Sequence, residues 1–370
     1  FTGNAALVTD VWTFTVVTYA DTTVLGITCN GKTVSITLAG SGYTAATAAA
    51  ALQAMLAAST YGEFLEYTWS VSGAVITGTA RTGGIPGTFT NASTGGTAGT
   101  LSNSTAASGP NFLSAAANWT SGTLPTNSDT VVFDRFSPSA IYGLTALSAL
   151  TGLTIETIDF GNSIGLPAVR GSANGFDPGS GGGYPEYRTR YLLLSAGTPT
   201  LNIGRGDVVP NRVNIQFASS ADAAAVNVFG SAPPAAGEVA SIYFQGLTGM
   251  DALNVTQGWV GVAAEIGQAG GFTVVRVGSE DNPSSDANVY FGSGATVPSI
   301  ENQSGSSASE ATVTSLTMRG RSTRHRQVAG NISGSTIQGG ILYFESPGSL
   351  TCVVNGKAVV DFSRDPRPKT

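Results

Sequence analysis

The chain has 370 residues, a formal net charge of −6 and only 11% charged residues, whereas glycine alone contributes 49 residues. The length allows two or three domains, and the 41% of apolar residues together with the low net charge excludes an intrinsically disordered chain. Charged residues are scarcer than the roughly 25% of an ordinary soluble domain, and this composition is typical of an all-β protein with many turns.

The first 90 residues predict a small α+β module that begins with strands. The stretch "VWTFTVV" alternates apolar and polar residues, as a half-buried strand does. The next stretch, "GITCNGKTVSITL", has two β-rich runs around Asn30-Gly31, which is the strongest short signal for a hairpin.

A helix and a second hairpin complete the module. The stretch "SGYTAATAAAALQAMLAAS" predicts an alanine-rich helix to about Ala58, with Ser41 or Thr44 as its N-cap. The stretch "EYTWSVSGAVITGTA" then predicts a hairpin that turns at Ser72-Gly73. The predicted order is therefore β-β-α-β-β.

This arrangement resembles a small module of bacteriophage structural proteins. There, a hairpin with an NG-type turn precedes a "TAAxxAAALxAxL" helix, and a "V-x-x-G-x-V-x-I-T-A" hairpin follows it. The matching stretches here are "CNGKTVSITL", "YTAATAAAALQAMLAAS" and "WSVSGAVITGTA". The resemblance covers residues 11–90, and it implies a non-enzymatic part of a virion surface, tail or fibre.

Residues 91–117 predict a linker. They are Gly, Ser, Thr and Asn with almost no large apolar side chains, and such a segment cannot bury enough surface to fold alone. We therefore place the boundary between the two domains in this segment.

Residues 118–370 predict an all-β domain. The opening "NWTSGTLPTNSDTVVFD" resembles the entry strand of extracellular β-solenoids, and short β-rich runs such as "TLNIG", "VNVFG" and "LNVTQG" follow without a helix between them. A parallel β-helix and a β-sandwich both give this pattern. We favour the parallel β-helix because Gly and Asn, rather than hairpin turns, mark the strand ends, and because the apolar positions are β-branched. Residues 171–187 then form a loop excursion from one coil.

The sequence offers little for catalysis or for binding a metal or cofactor. His325 is the only histidine, and neighbouring arginines would disfavour the imidazolium that a catalytic triad forms. Glu156 and Asp159 are the closest carboxylate pair on a predicted strand, but residues i and i+3 of a strand point to opposite faces. A weak calcium loop at Glu280, Asp281 and Asp286 lacks the spacing of an EF-hand. We expect no catalytic residue, no metal site and no cofactor.

The two cysteines, Cys29 and Cys352, lie far apart in the sequence and in different predicted domains. We expect both to be unpaired, buried thiols.

The most unusual motif is the basic run "MRGRSTRHRQ", which contains Arg319, Arg321, Arg324 and Arg326. On a strand, the first two arginines would face opposite to the last two unless the backbone bends between them. Nucleic-acid binding calls for more basic charge and for interleaved aromatic residues, neither of which the flanking sequence has. A solvated turn and an anionic glycan or phosphate are alternatives. We favour a subunit interface, where arginine forks pair with carboxylates.

A second hypothesis concerns aromatic side chains around the glycine-rich loop. Tyr184, Tyr187 and Tyr191 flank that loop and would contact a glycan if they were exposed. The alternative is that they close the loop against the coil.

These observations predict a non-enzymatic structural protein of a virion or an extracellular surface, acting in capsid or tail decoration or in a fibre. We expect it to associate with copies of itself, for example as a trimer, with other virion or surface proteins, and with a cell-surface glycan. We expect no nucleic-acid partner and no membrane partner. The alternatives are a tailspike-like polysaccharide depolymerase and a bacterial surface adhesin or filament subunit.

Overall fold

The computed structural model describes residues 1–17, 21–40, 42–95, 98–126, 129–134, 136–138, 142–144, 152–155, 159–160, 169–170, 184–185, 187–188, 191–194, 198–204, 209–210, 212–217, 223–246, 250–282 and 286–364. The chain is mainly β, as the composition predicts. It forms two compact units. The N-terminal unit comprises Asn4–Ala115 and Ile164–Arg188, and the C-terminal unit comprises Phe1–Gly3, Ala116–Ser163 and Thr189–Thr370.

The N-terminal unit contains more strands than the sequence predicts. Its elements up to Ala115 are β1 (Val11–Val16), β2 (Val24–Cys29), β3 (Lys32–Thr37), α1 (Ala45–Ala57), α2 (Gly62–Leu65), β4 (Tyr67–Ser72), β5 (Val75–Ala80), β6 (Phe89–Asn91) and β7 (Gly99–Thr105). They form two antiparallel sheets, β4-β5-β1-β7 and β3-β2-β6. Three strands precede the helix and four follow it, so the β-β-α-β-β order is wrong.

Both predicted hairpins and the helix are present. The β2–β3 turn has positive φ at Asn30 and Gly31, the conformation that an Asn-Gly turn favours. Thr44 is the N-cap of α1, and its hydroxyl accepts a hydrogen bond from the backbone N–H of Thr47 at 3.1 Å. Cys29 is buried, Cys352 is half-buried, and neither is in a disulfide.

The segment predicted as a linker is part of the N-terminal unit, so that prediction is wrong. β7 lies within residues 91–117 and pairs with β1, although most of its side chains are polar. The physical reason is a buried carboxylate, Asp10, which accepts five hydrogen bonds. The donors are Trp12 Nε1 (2.7 Å), Tyr67 Oη (2.6 Å), Gly87 N (2.8 Å), Asn103 Nδ2 (2.8 Å) and Ala107 N (3.1 Å). The last two donors tie the segment to the unit through contacts distant in sequence.

The remaining strands follow a short 3₁₀ turn at Ala116–Asn118. They are β8 (Thr130–Phe133), β9 (Gly152–Ile155), β10 (Asp159–Phe160), β11 (Val169–Arg170), β12 (Tyr184–Pro185), β13 (Leu192–Leu194), β14 (Thr198–Ile203), β15 (Arg212–Phe217), β16 (Ala223–Val228), β17 (Ile242–Gly246), β18 (Met250–Val255), β19 (Gly258–Val262), β20 (Gly270–Val277), β21 (Ala287–Phe291), β22 (Ala295–Asn302), β23 (Ser306–Ser309), β24 (Val313–Met318), β25 (Arg324–Gln327), β26 (Ser335–Ile337), β27 (Ile341–Phe344), β28 (Val353–Val354) and β29 (Val359–Asp361). β11 and β12 pair with each other in antiparallel fashion and belong to the N-terminal unit rather than to the all-β unit. Residues 171–183 of the predicted loop excursion lie outside the described residues.

Two long parallel sheets make up the C-terminal unit. Sheet A has the order β8-β9-β14-β16-β18-β20-β22-β24-β26-β28, and sheet B has the order β10-β15-β17-β19-β21-β23-β25-β27-β29, with β13 also paired to β15. From β14 onward the strands alternate between the sheets, and each pairs in parallel with the strand two places later. This ladder differs from the antiparallel ladders of a β-sandwich, and it is compatible with a β-solenoid.

Close approach between neighbouring strands demands glycine at the last residue of β17 and at the first residue of β19. Gly246 has φ +117° and Gly258 has φ +104°, conformations that side chains rarely allow. A Cβ at Gly246 would also collide with the backbone of Phe217, one strand away in sheet B.

Inward and outward residues alternate along both sheets. The inward columns are mostly aliphatic and aromatic, for example Leu201, Val226, Leu253 and Val275 in sheet A and Phe244, Val262 and Phe291 in sheet B. Outward on sheet A runs an asparagine ladder. Asn227 Nδ2 donates to Asn202 Oδ1 at 3.0 Å, and Asn254 Nδ2 donates to Asn227 Oδ1 at 2.9 Å. Stacked identical amides of this kind require in-register parallel strands.

Candidate ligand-binding groove

The four arginines of the basic run occupy two different settings. Arg319 and Arg321 follow the end of β24, whereas Arg324 and Arg326 lie on β25 and point outward. They alternate on β25 with His325 and Gln327, which are fully buried. The alternation that the sequence predicts for a strand is therefore present at residues 324–327.

Two of the four arginines pair with carboxylates of their own chain. Arg319 Nη1 lies 2.8 Å from Glu280 Oε1, and both side chains are more than half exposed. Arg326 contacts Glu345 with both Nε (3.0 Å) and Nη2 (2.8 Å). Arg321 is exposed and has no ion-pair partner in the described part of the chain. The subunit-interface hypothesis for the arginines stays a prediction, and their own chain already supplies partners for Arg319 and Arg326.

His325 belongs to a directed hydrogen-bond chain inside the unit. Gln327 Nε2 donates to the carbonyl oxygens of Ala311 and Ala329, which leaves Gln327 Oε1 facing His325 Nε2 at 2.9 Å. His325 Nε2–H therefore donates to Gln327, and Nδ1 accepts from the Ser307 hydroxyl at 2.9 Å. Burial lowers the pKa of His325 to about 4 and outweighs the hydrogen bond to Gln327, which acts in the opposite direction. His325 is neutral at pH 7 and stabilises the core.

The outward face of sheet B carries a groove of about 520 Å³ next to Arg324 and Arg326. Two columns of paired residues form its surface. One column is Trp259, Asn288, Ser306 and Arg324, and the other is Tyr290, Ala308, Arg326 and Tyr343. Because Ser306 and Ala308 are small, they form a floor between the aromatic side chains of β19 and β21 and the larger side chains of β25 and β27.

Most charges around the groove are already paired. Glu238, at one end, pairs with the buried Arg212. Glu345 accepts hydrogen bonds from Arg326 and, at 3.4 Å, from Arg364, and these bonds, led by that from Arg326, hold the pKa of Glu345 below its usual range. Among the described residues, Arg324 has no such partner. Arg324 is therefore the charged side chain of the lining that is available to bind a ligand.

Two of the aromatic side chains in the groove contact charged residues at its rim. The hydroxyl of Tyr290 donates to Glu310 Oε1 at 2.5 Å, and the guanidinium of Arg364 lies 4.8 Å from the centroid of the Tyr343 ring. Burial, followed by the bond to Glu310, raises the pKa of Tyr290 above its usual range. Trp259 is half-buried.

The tyrosines predicted to contact a glycan do not form an exposed platform. Tyr191 is 5% exposed, and its hydroxyl donates to Glu265 Oε2 at 2.9 Å. Tyr187 packs against the core of the N-terminal unit, beneath the guanidinium of Arg188. The side chain of Tyr184 is outside the described residues. The glycan contact of these tyrosines stays a prediction, and in the structure the ring of Tyr191 is buried and that of Tyr187 is half-buried.

The described residues provide no metal cluster. Across the described ranges, no three His, Cys, Asp or Glu side chains gather closely enough to hold a metal ion. Glu280, one of the predicted calcium ligands, pairs with Arg319 instead. Glu156 and the side chain of Asp159 lie outside the described residues. None of the helices in the described part of the chain combines the length and the apolar character that crossing a membrane takes.

The sequence analysis did not predict that Trp259, Tyr290 and Tyr343 line one groove. Their alternation with buried residues is visible in "GWVGV", "NVYF" and "ILYF", but each run looks like an ordinary half-buried strand. Only the register of β19, β21, β23, β25 and β27 brings them to one groove.

Comparison with known proteins does not place the chain in a family. No protein-family model matches the chain, and neither the curated proteins nor the solved structures gave a significant match.

Proposed function

We propose that the C-terminal unit is a parallel β-solenoid. The support is the strict alternation of strands between sheets A and B and the parallel pairing of each strand with the next but one. The asparagine ladder on sheet A and the stacked columns on sheet B are what repeated coils produce.

We propose further that the chain is a non-enzymatic structural protein of a virion or an extracellular surface, and that the outward face of sheet B contacts a glycan. The observation that carries this function is the groove, in which three aromatic side chains and three arginines line a surface with a floor of small residues. Aromatic residues present an apolar face and, in Tyr and Trp, a polar tip, which suits ligands that combine both characters. The resemblance of residues 11–90 to phage structural modules supports the virion setting.

The carboxylates around the groove argue against a hydrolytic role. Glycoside hydrolysis needs two carboxyl groups on either side of the scissile bond, one of them protonated. Glu238 and Glu345 are instead each in an ion pair with an arginine, and the bond from Arg326 holds the pKa of Glu345 below its usual range. A tailspike-like depolymerase is the competing function, and release of reducing sugar from bacterial polysaccharides would establish it.

Self-association is the second part of the proposal. β28 and β29 end sheets A and B in the described part of the chain, and Val353, Val354 and Val359 on them are each about half exposed. A strand edge with exposed apolar side chains favours pairing with another chain, here a second copy. Mass photometry of the 370-residue chain should therefore give a multiple of the chain mass.

The glycan function is tested on an array of neutral and acidic bacterial polysaccharides. We expect the wild-type chain to bind a subset of them and Trp259→Ala to lose that binding. Phe136→Ala is the matched control, because Phe136 is an exposed aromatic residue outside the groove lining. Absence of wild-type binding, or equal loss in both variants, would refute the function.

A further inference from the structure

Of the described charged side chains around the groove on sheet B, some form ion pairs and one does not. Arg326 and Arg364 share Glu345, and Glu238 at the far end is held by Arg212. Arg324 lies on the same outward face of β25, two residues before Arg326. It forms no ion pair with the described residues. An unpaired guanidinium beside a groove favours an anionic ligand group that accepts its forked hydrogen bonds.

The aromatic residues define the rest of the ligand. Trp259 on β19 and Tyr343 on β27 are four strand positions apart in sheet B, which corresponds to about 19 Å at the usual strand spacing. Tyr290 lies between them on β21. Such a distance fits several linked rings whose apolar faces pack on the aromatic rings and whose hydroxyl groups reach the polar rim.

The geometry points to an acidic oligosaccharide as the ligand: a sugar carboxylate pairs with Arg324, and the sugar rings pack on Trp259, Tyr290 and Tyr343. The inference rests on the proposed glycan function and names the class of glycan. A glycan with occasional carboxylates matches a groove that has one unpaired cation.

A single-stranded nucleic acid is the other ligand that uses aromatic residues and arginines. It carries a phosphate at every nucleotide, and its binding requires a continuous positive groove. Here Glu238 and Glu345 already neutralise Arg212 and Arg326, so among the described residues the groove has one unpaired cation instead of a continuous positive track, and the chain has a net charge of −6.

The test is calorimetric titration of the 370-residue chain with two tetrasaccharides that each carry a single uronate, one glucuronate on xylotriose and one galacturonate on a galactose trisaccharide, and with their methyl-esterified, neutral forms. We expect saturable binding of at least one acid, with its ester weaker by roughly tenfold or more, because a hydrogen bond to a charged group contributes more than one to a neutral group. Arg324→Gln should weaken binding of the acid by a similar factor and leave binding of the ester unchanged. Arg321→Gln is the matched control, since Arg321 is an exposed, unpaired arginine of the same run outside the groove lining.

The outcomes separate this inference from the proposed function. Equal binding of acid and ester, unaffected by Arg324→Gln, overturns the inference and leaves the glycan function standing. Equal losses in the Arg324 and Arg321 variants also overturn it. If none of the four saccharides binds, the inference fails, and the polysaccharide array then decides the function alone. Tighter binding of an oligothymidylate than of either acid overturns both.

Discussion

Arg326 on β25 and Glu345, the residue directly after β27, form a two-bonded ion pair, with Nε and Nη2 3.0 and 2.8 Å from the two carboxylate oxygens. The carboxylate is largely shielded, at 13% exposure, whereas the arginine is half exposed. Arg364 joins the same carboxylate from the segment after β29. Glu345 thus fixes one wall of the groove and takes up the charge of Arg326, which leaves Arg324 as the unpaired cation.

Glu345→Gln should reduce the free energy of unfolding by about 0.5–1 kcal/mol, because it removes the shared partner of Arg326 and Arg364. Urea unfolding at low salt and at about 1 M NaCl measures the effect, which should shrink at high salt where charges are screened. Glu280→Gln is the control, since the Arg319–Glu280 pair is more exposed on both sides and should matter less. An equal cost for the two variants would contradict the special role of Glu345.

His325 should make the stability of the C-terminal unit depend on pH. Its pKa is about 4 in the folded chain and near 6.5 in the unfolded chain, so the unfolded chain binds more protons between these values. Stability is complete above pH 6.5 and falls as the pH drops toward 4, by about 3 kcal/mol from this group.

Urea unfolding of the wild-type chain and of His325→Gln between pH 7 and pH 4 isolates that contribution. Gln keeps a hydrogen-bonding group but does not titrate. The free energy of unfolding of His325→Gln should therefore fall less steeply with decreasing pH. Identical pH profiles for the two chains would mean that His325 becomes protonated without cost, contrary to its buried position.

Asp10→Asn should destabilise the N-terminal unit by about 3 kcal/mol or more, because an amide cannot accept all five hydrogen bonds and its NH₂ group would face donors. Hydrogen exchange should detect early loss of protection in β7, which Asn103 and Ala107 anchor to Asp10. Retained protection in β7 of the variant would show that strand pairing alone holds this segment.

Asn227→Ala should cost about 1–2 kcal/mol, because Asn227 both donates and accepts within the ladder on sheet A. Asn288→Ala on sheet B is the matched control, since among the described residues the Asn288 amide donates to the carbonyl of Asp286 alone, at 2.9 Å. Thermal unfolding of both variants compares them. A larger loss at Asn288 would contradict the stabilising role of the ladder.

Features that depend on neighbouring residues were predictable from the sequence. The Asn30-Gly31 hairpin, the Thr44 cap and the alternation of Arg324 and Arg326 with buried residues all follow from local conformational preferences. The polar strand β7 was not predictable in this way, because its stability comes from Asp10, about 90 positions earlier.

The groove and the asparagine ladder depend on the register between stacked strands. The runs "LNIG", "VNVFG" and "LNVTQG" contain Asn202, Asn227 and Asn254 at similar places, which is the one sequence signal of the ladder. The spacing between these residues varies with the lengths of the turns, so the register of the stacked strands does not follow from a fixed period. The same holds for Trp259, Tyr290 and Tyr343, which the stacking of strands in sheet B brings to one groove.

The most direct test of the account is a crystal structure of the chain with the acidic oligosaccharide that binds tightest in the titrations. We expect a saccharide lying across β19 to β27 of sheet B, with sugar rings against Trp259 and Tyr343 and a carboxylate within hydrogen-bonding distance of Arg324. A saccharide bound elsewhere, or strands that do not alternate between two parallel sheets, would contradict it.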